Sequence, residues 1–69
     1  MNRKSVTSSN IASIGYDDSS ETLEIEFKNG GIYQYFDVPE KIYNGIMSAS
    51  SHGEYLAQNI KGYYRYSKV

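Results

Sequence analysis

Thr22-Leu23-Glu24-Ile25-Glu26-Phe27-Lys28-Asn29-Gly30-Gly31-Ile32-Tyr33-Gln34-Tyr35-Phe36 is the stretch whose reading decides the fold. Its first half alternates: Leu23, Ile25 and Phe27 take one side, Glu24 and Glu26 the other. That is the period-two pattern of a strand with one wet face. Lys28 to Gly31 has the composition of a hairpin turn. Ile32 to Phe36 reads as the returning strand. Two registers compete. A two-residue Asn29-Gly30 turn would set Phe27 against Ile32 and place Tyr33 and Tyr35 beside the glutamates. A three-residue loop, Lys28-Asn29-Gly30 with Gly30 at positive φ, sets Phe27 against Gly31. Ile25 then opposes Tyr33, and Leu23 opposes Tyr35. The second register is favoured, because it pairs aromatic with aliphatic side chains and keeps Gln34 off the apolar face. It leaves Ile32 and Phe36 on the second face, to be covered or to form a docking patch.

Upstream, Ile14 and Tyr16 share one side of a preceding strand. Ile11 is out of phase, which predicts a bulge or a late start. Asp17-Asp18-Ser19-Ser20 is a turn signal. Residues 1–8 are polar and without periodicity, so they read as a loose end. Downstream, Asp37-Val38-Pro39-Glu40 predicts a helix start, with Pro39 in the first turn and both acids at the positive dipole end. Ile42, Ile46 and Ala49 recur at helical spacing, with Tyr43 and Met47 alongside. Gly45 weakens this helix by roughly 1 kcal/mol relative to Ala. Ser51-His52-Gly53-Glu54 matches a capping box. A second helix follows, with Tyr55, Leu56 and Ile60 inward and Gly62 as its stop. Tyr63 to Tyr66 reads as a short final strand. The predicted fold is α+β: a three-stranded antiparallel β-meander, two helices, and a short C-terminal strand. Residues 9–66 form one domain and 67–69 a tail.

Composition narrows the function classes. The chain has 69 residues, no Cys and one His. These counts exclude a disulfide framework, a thiol nucleophile and a multi-histidine site. No cofactor is implied. Met1-Asn2-Arg3-Lys4-Ser5 is basic with no apolar stretch behind it, so it reads as no secretory signal. The expectation is a soluble, cytoplasmic domain outside any membrane. Apolar residues are 39% of the chain, and 8 of them are Tyr. In so small a domain, Tyr must supply part of the core, half-buried with hydroxyls at the rim. The net charge of −1 is unevenly spread. Residues 1–16 and 41–69 are basic, and 17–40 are acidic. The near-neutral total argues against strong non-specific nucleic-acid binding but leaves room for a local basic patch.

A series of residues resembles a known family: Gly15-Tyr16-Asp17, Leu23-x-Ile25-x-Phe27-x-Asn29-Gly30, Tyr33-x-Tyr35, Val38-Pro39, Tyr43, Ala49-x-Ser51-x-Gly53-x-Tyr55, Ile60 and Tyr64-x-Tyr66. The series is similar to the KTSC domain, named for its place at the C-terminus of some lysyl-tRNA synthetases and found also as small bacterial proteins. The resemblance spans residues 6–66. Its hallmark is the central Tyr33-Gln34-Tyr35. Leu56 stands where the family favours an aromatic, which is a core exchange. The family has no established activity. Its company with a tRNA synthetase implies RNA binding by association.

His52 could act as a base toward Ser50 or Ser51, but no second His or oxyanion-type loop accompanies it, so it reads as a solvated helix-start residue. Asp17-Asp18 reads as a turn, and Glu24-x-Glu26 as the wet side of a strand, not as a metal site. Asn29-Gly30-Gly31 lacks the helix and Lys of a phosphate loop. Lys61, Tyr63, Tyr64, Arg65, Tyr66 and Lys68 interleave cations and rings, as single-stranded RNA requires. Tyr33 and Tyr35 would extend them if they face outward. Against this, the rings could simply close the core. So few cations imply weak, salt-sensitive RNA or tRNA binding by a non-enzymatic domain. The alternative is protein–protein interaction or self-association through Ile32 and Phe36.

Overall fold

Phe27 closes the hairpin as a three-residue loop requires. Its N–H donates to the Gly31 carbonyl at 2.8 Å, and Gly30 sits at φ +100°. Leu23 pairs with Tyr35 and Ile25 with Tyr33. The structure, a computed structural model, describes residues 1–69. It contains β1 (Arg3–Ser5), β2 (Ile11–Asp17), β3 (Thr22–Phe27), β4 (Ile32–Tyr35), α1 (Glu40–Ser48), α2 (His52–Asn59) and β5 (Tyr66–Lys68). The sheet order is β1-β2-β3-β4-β5, and every neighbouring pair is antiparallel.

The meander thus has four strands before the helices rather than three. Arg3–Ser5 adds to β2, with Arg3 opposite Gly15 and Ser5 opposite Ser13. No alternation marks β1, because it is an edge held by backbone pairing and by Arg3 rather than by burial. The final strand is also displaced. It covers Tyr66–Lys68 instead of Tyr63–Tyr66, and pairs Tyr35 with Tyr66 and Tyr33 with Lys68. The stretch after Gly62, at φ +86°, is spent on turning back to the sheet. The predicted irregularity at Ile11 is present as a register shift between Ile11 and Ser13.

Ile11, Ile14, Leu23, Ile25, Val38, Ile46 and Ile60 are fully buried, with Leu56 and Tyr35 nearly so. Both helices pack on the Ile14–Ile25 side of the sheet. Tyr43 of α1 stacks on Tyr16 of β2 at 5.0 Å between centroids and 11° between planes. Tyr16, Tyr33, Tyr43, Tyr55 and Tyr64 are half-buried against the same core. Tyr63 and Tyr66 are exposed. The α2 capping box forms: the Glu54 N–H donates to Ser51 Oγ at 3.2 Å. No helix is long and apolar enough to cross a membrane.

Helix α1 starts later than its sequence suggests. Pro39 is the N-cap at φ −70°, ψ 154°. A residue before Pro is driven away from helical φ/ψ, so Val38 is extended into the core. Its N–H donates to the Glu21 carbonyl at 2.9 Å, and its carbonyl accepts from the Tyr16 hydroxyl at 2.5 Å. Asp37 is left-handed, at φ +58°. Its carboxylate turns to Arg65, not to the helix dipole.

The opposite face of the sheet carries no helix, yet Glu24 is 7% exposed. Glu24 therefore does not belong to a wet strand side. Arg3 reaches across Gly15 and pairs with the Glu24 carboxylate. Gln34 Nε2 donates to Glu24 Oε1 at 2.8 Å. Arg3 Nε donates to Ser13 Oγ, which donates to Glu26 Oε1 at 2.8 Å. This lateral network shields the face. Gly15 permits it, since a Cβ there would lie 2.8 Å from Arg3 Cγ. The Gln34 hydrogen bond, aided by the Arg3 charge, holds the Glu24 carboxyl below its ordinary value of 4.5, against the opposing effect of burial. A depressed carboxyl contributes stability above its unfolded value, lost as pH falls through the folded one. Wild type should therefore lose more stability than Glu24→Gln below about pH 4.5. Denaturant midpoints across the acid range check this; parallel curves would refute it.

Candidate functional site

At the hairpin end of the sheet the helices stop short and leave a groove. Its floor is made by β4 and β5, whose pairing puts Tyr33, Tyr35, Tyr66 and Lys68 on the helix-side face. The groove has a volume of about 650 Å³ and is lined by Phe27, Lys28, Tyr33, Tyr35, Lys61 and Tyr66, among others. The rings form a continuous series. Phe27 meets Tyr33 edge-on at 5.5 Å and 85°. Tyr66 lies 5.9 Å from both Tyr33 and Tyr35. Lys28 leaves the hairpin at one side, and Lys61 follows the last turn of α2 at the other. No carboxylate side chain lines the groove.

Burial raises the Tyr35 phenol above its ordinary value of 10.0, and the facing Tyr33 and Tyr66 phenols add to the effect. Tyr16 is raised too, first by burial and then by Glu21, Glu40, Asp18 and Asp17 around it. A raised phenol contributes stability below its unfolded value, lost as pH rises through the folded one. Stability should therefore fall above about pH 10, as ionisation of these two phenols comes to favour the unfolded chain. Tyr35→Phe should flatten that decline; an unchanged slope would contradict the assignment.

Tyr33, Tyr35, Tyr66 and Lys61 are thus brought together in one hollow. Tyr33 and Tyr35 do not face outward from the free side of the sheet. They are on the helix side: Tyr35 is buried in the core cluster with Ile46, Leu56 and Ile60, and Tyr33 is half-buried at its edge. Lys68 stands opposite Tyr33 and edges a neighbouring hollow. Tyr63 and Arg65 lie apart, lining a shallow hollow on the far side of Tyr66. The Arg65 guanidinium sits 5.3 Å from the centroid of the Phe36 ring and binds Asp37 at 2.9 Å. Tyr64 packs against the core. Phe36 and Ile32 are each half-buried. Sequence reasoning missed Phe27 and Lys28. Phe27 read as core and Lys28 as turn, and only the β4–β5 pairing shows that they frame a groove.

His52 is not simply solvated. Its Nδ1 lies 2.7 Å from the Ile46 carbonyl oxygen, which can only accept, so the ring donates there and ties α2 to α1. No group of three His, Cys, Asp or Glu side chains is placed to hold a metal ion.

A family model described as the KTSC domain matches residues 7–69. The chain belongs to the KTSC domain family. The crystal structure of a KTSC domain protein from Yersinia pestis is similar, with a TM-score of 0.96, 44% identity, and coverage of 99% of this chain and 96% of that one. An uncharacterized protein of Stutzerimonas stutzeri is 36% identical over 70 residues, spanning 100% of this chain and 99% of that protein. A lysine–tRNA ligase of Nostoc sp. is 36% identical over 59 residues, covering 86% of this chain but 10% of the ligase. The KTSC domain therefore occurs both at the size of this chain and as a small part of a much larger enzyme.

Proposed function

We propose that this KTSC domain is a non-enzymatic module that binds RNA, with tRNA as the fitting class, through the Tyr33–Tyr35–Tyr66 groove. The observation that carries this reading is a groove in which Tyr66 is exposed and Tyr33 half-buried above the buried Tyr35, flanked by Lys28 and Lys61 and free of carboxylate side chains. Rings of this kind stack on unpaired bases, and lysines beside them neutralise phosphates. A relative inside a lysine–tRNA ligase supports the choice of RNA. Lys68, opposite Tyr33, supplies a third cation. The second surface, Ile32 and Phe36, is less suited to docking, because Arg65 lies over the Phe36 ring.

The test is a titration with tRNA and short single strands at low and raised salt, followed by backbone amide shifts. Shifts are expected at Tyr33, Tyr66, Lys61 and Lys68. With three phosphate contacts, log affinity should fall against log salt with a slope of about −2. Tyr66→Ala should weaken binding by about fivefold or more. No shift even at low salt would remove RNA binding. Solution mass in the same samples separates the alternative: a dimer dispersed by Phe36→Ser would favour self-association.

A further inference from the structure

The groove does not stand alone. A hollow lined by Gly31, Lys68 and Val69 adjoins it and shares Asn29 and Tyr33. A second, lined by Tyr63, Tyr64 and Arg65, adjoins its other side and shares Gly62 and Tyr66. The three hollows therefore form one track, with Tyr33 and Tyr66 at the two junctions. Each has a ring for stacking and at least one cation: Lys68, then Lys28 and Lys61, then Arg65. None holds a carboxylate side chain. Asp37 stands beside the third hollow, paired with Arg65, whereas Asp17, Asp18, Glu21 and Glu40 gather around Tyr16, at the opposite end of β3 from the hairpin. A polyanion is thus drawn to the track end and repelled from the other.

We infer that the ligand is an unpaired strand of about three consecutive nucleotides, one per hollow, rather than a duplex or a single nucleotide. This rests on the RNA-binding reading above. The rings of the central hollow belong to the sheet, and the exposed Tyr66 and half-buried Tyr33 offer their faces at its two ends to a base with a free face. A paired base keeps its faces stacked inside the helix. The third position depends on Arg65. It is held by an ion pair with Asp37 in which both side chains are about three-quarters exposed, at 74% and 75%. Such a pair is weak, so a phosphate can displace Asp37.

The test measures affinity for oligouridylates from one nucleotide to about six, beside a duplex of equal length. Each added nucleotide should strengthen binding by about fivefold up to the third, and little afterwards. The duplex should bind about tenfold more weakly than the strand. Tyr63→Ala, at a ring 71% exposed and so without effect on folding, should weaken the three-nucleotide strand and leave the mononucleotide unchanged. Asp37→Asn should free Arg65 and strengthen only strands that reach it. If strands bind but affinity ignores length, or the duplex binds as well, the track is wrong and the RNA reading stands. If no oligonucleotide or tRNA binds, both fall.

Discussion

Ile25→Ala is expected to lower the stability of the domain by about 2–5 kcal/mol. Ile25 is fully buried at the centre of the sheet, between Ile14 on β2 and Tyr33 on β4. Helix residues Ile46, Leu56 and Ile60 complete its cluster. Shortening it removes apolar area and leaves a void that surrounding strands, fixed by backbone pairing, cannot close. Total stability at about 0.05–0.15 kcal/mol per residue is only about 3–10 kcal/mol for a chain this size. The variant should therefore sit near its unfolding midpoint at moderate temperature. Equilibrium urea curves measure this through the midpoint at constant slope. Ile32→Ala, half-buried on the other face, is the control and should cost less. A loss below about 1 kcal/mol at Ile25 would mean that the core is not centred there.

Gly45→Ala is expected to destabilise, against helix propensity. Propensity alone favours Ala by about 1 kcal/mol. A Cβ on Gly45, however, would lie 2.0 Å from the Tyr55 hydroxyl oxygen and 2.6 Å from its Cζ. Tyr55 is a stiff ring, half-buried against the core. It cannot yield without moving α2 away from α1. Overpacking of this kind costs about 1–3 kcal/mol, so the net change should be a loss. The cause can be isolated with Tyr55→Leu, which removes the ring from the contact. In that background Gly45→Ala should turn neutral or stabilising, a coupling between touching residues. The same sign in both backgrounds would show that the helix crossing does not depend on Gly45.

These two positions show where local reading succeeds. Ile25 is visible as core because β3 alternates, and its partners follow from turn length once Gly30 is assigned positive φ. Ser51 and Glu54 are visible as a cap because the motif is confined to one turn. Gly45 is legible only as a defect, since its neighbour Tyr55 comes from another helix. The burial of Glu24 is hidden from the sequence for the same reason. Nothing in Thr22 to Phe27 says that Arg3, in a segment without periodicity, crosses Gly15 to pair with it.

What the chain order alone determines is therefore the local grammar: an alternating hairpin with its register, two helices with their boundaries near Pro39 and Ser51, and tyrosine as core material. Its residue series also marks the family, matched over 7–69. The tertiary structure decides the rest, namely the fourth early strand, the shielded Glu24, and which rings share a groove. Backbone pairing of β4 with β5 joins residues far apart in sequence, and the short edge strands β1 and β5 carry no hydrophobic period to announce them. Tyr33 and Tyr66 meet at 5.9 Å only because that last pairing forms.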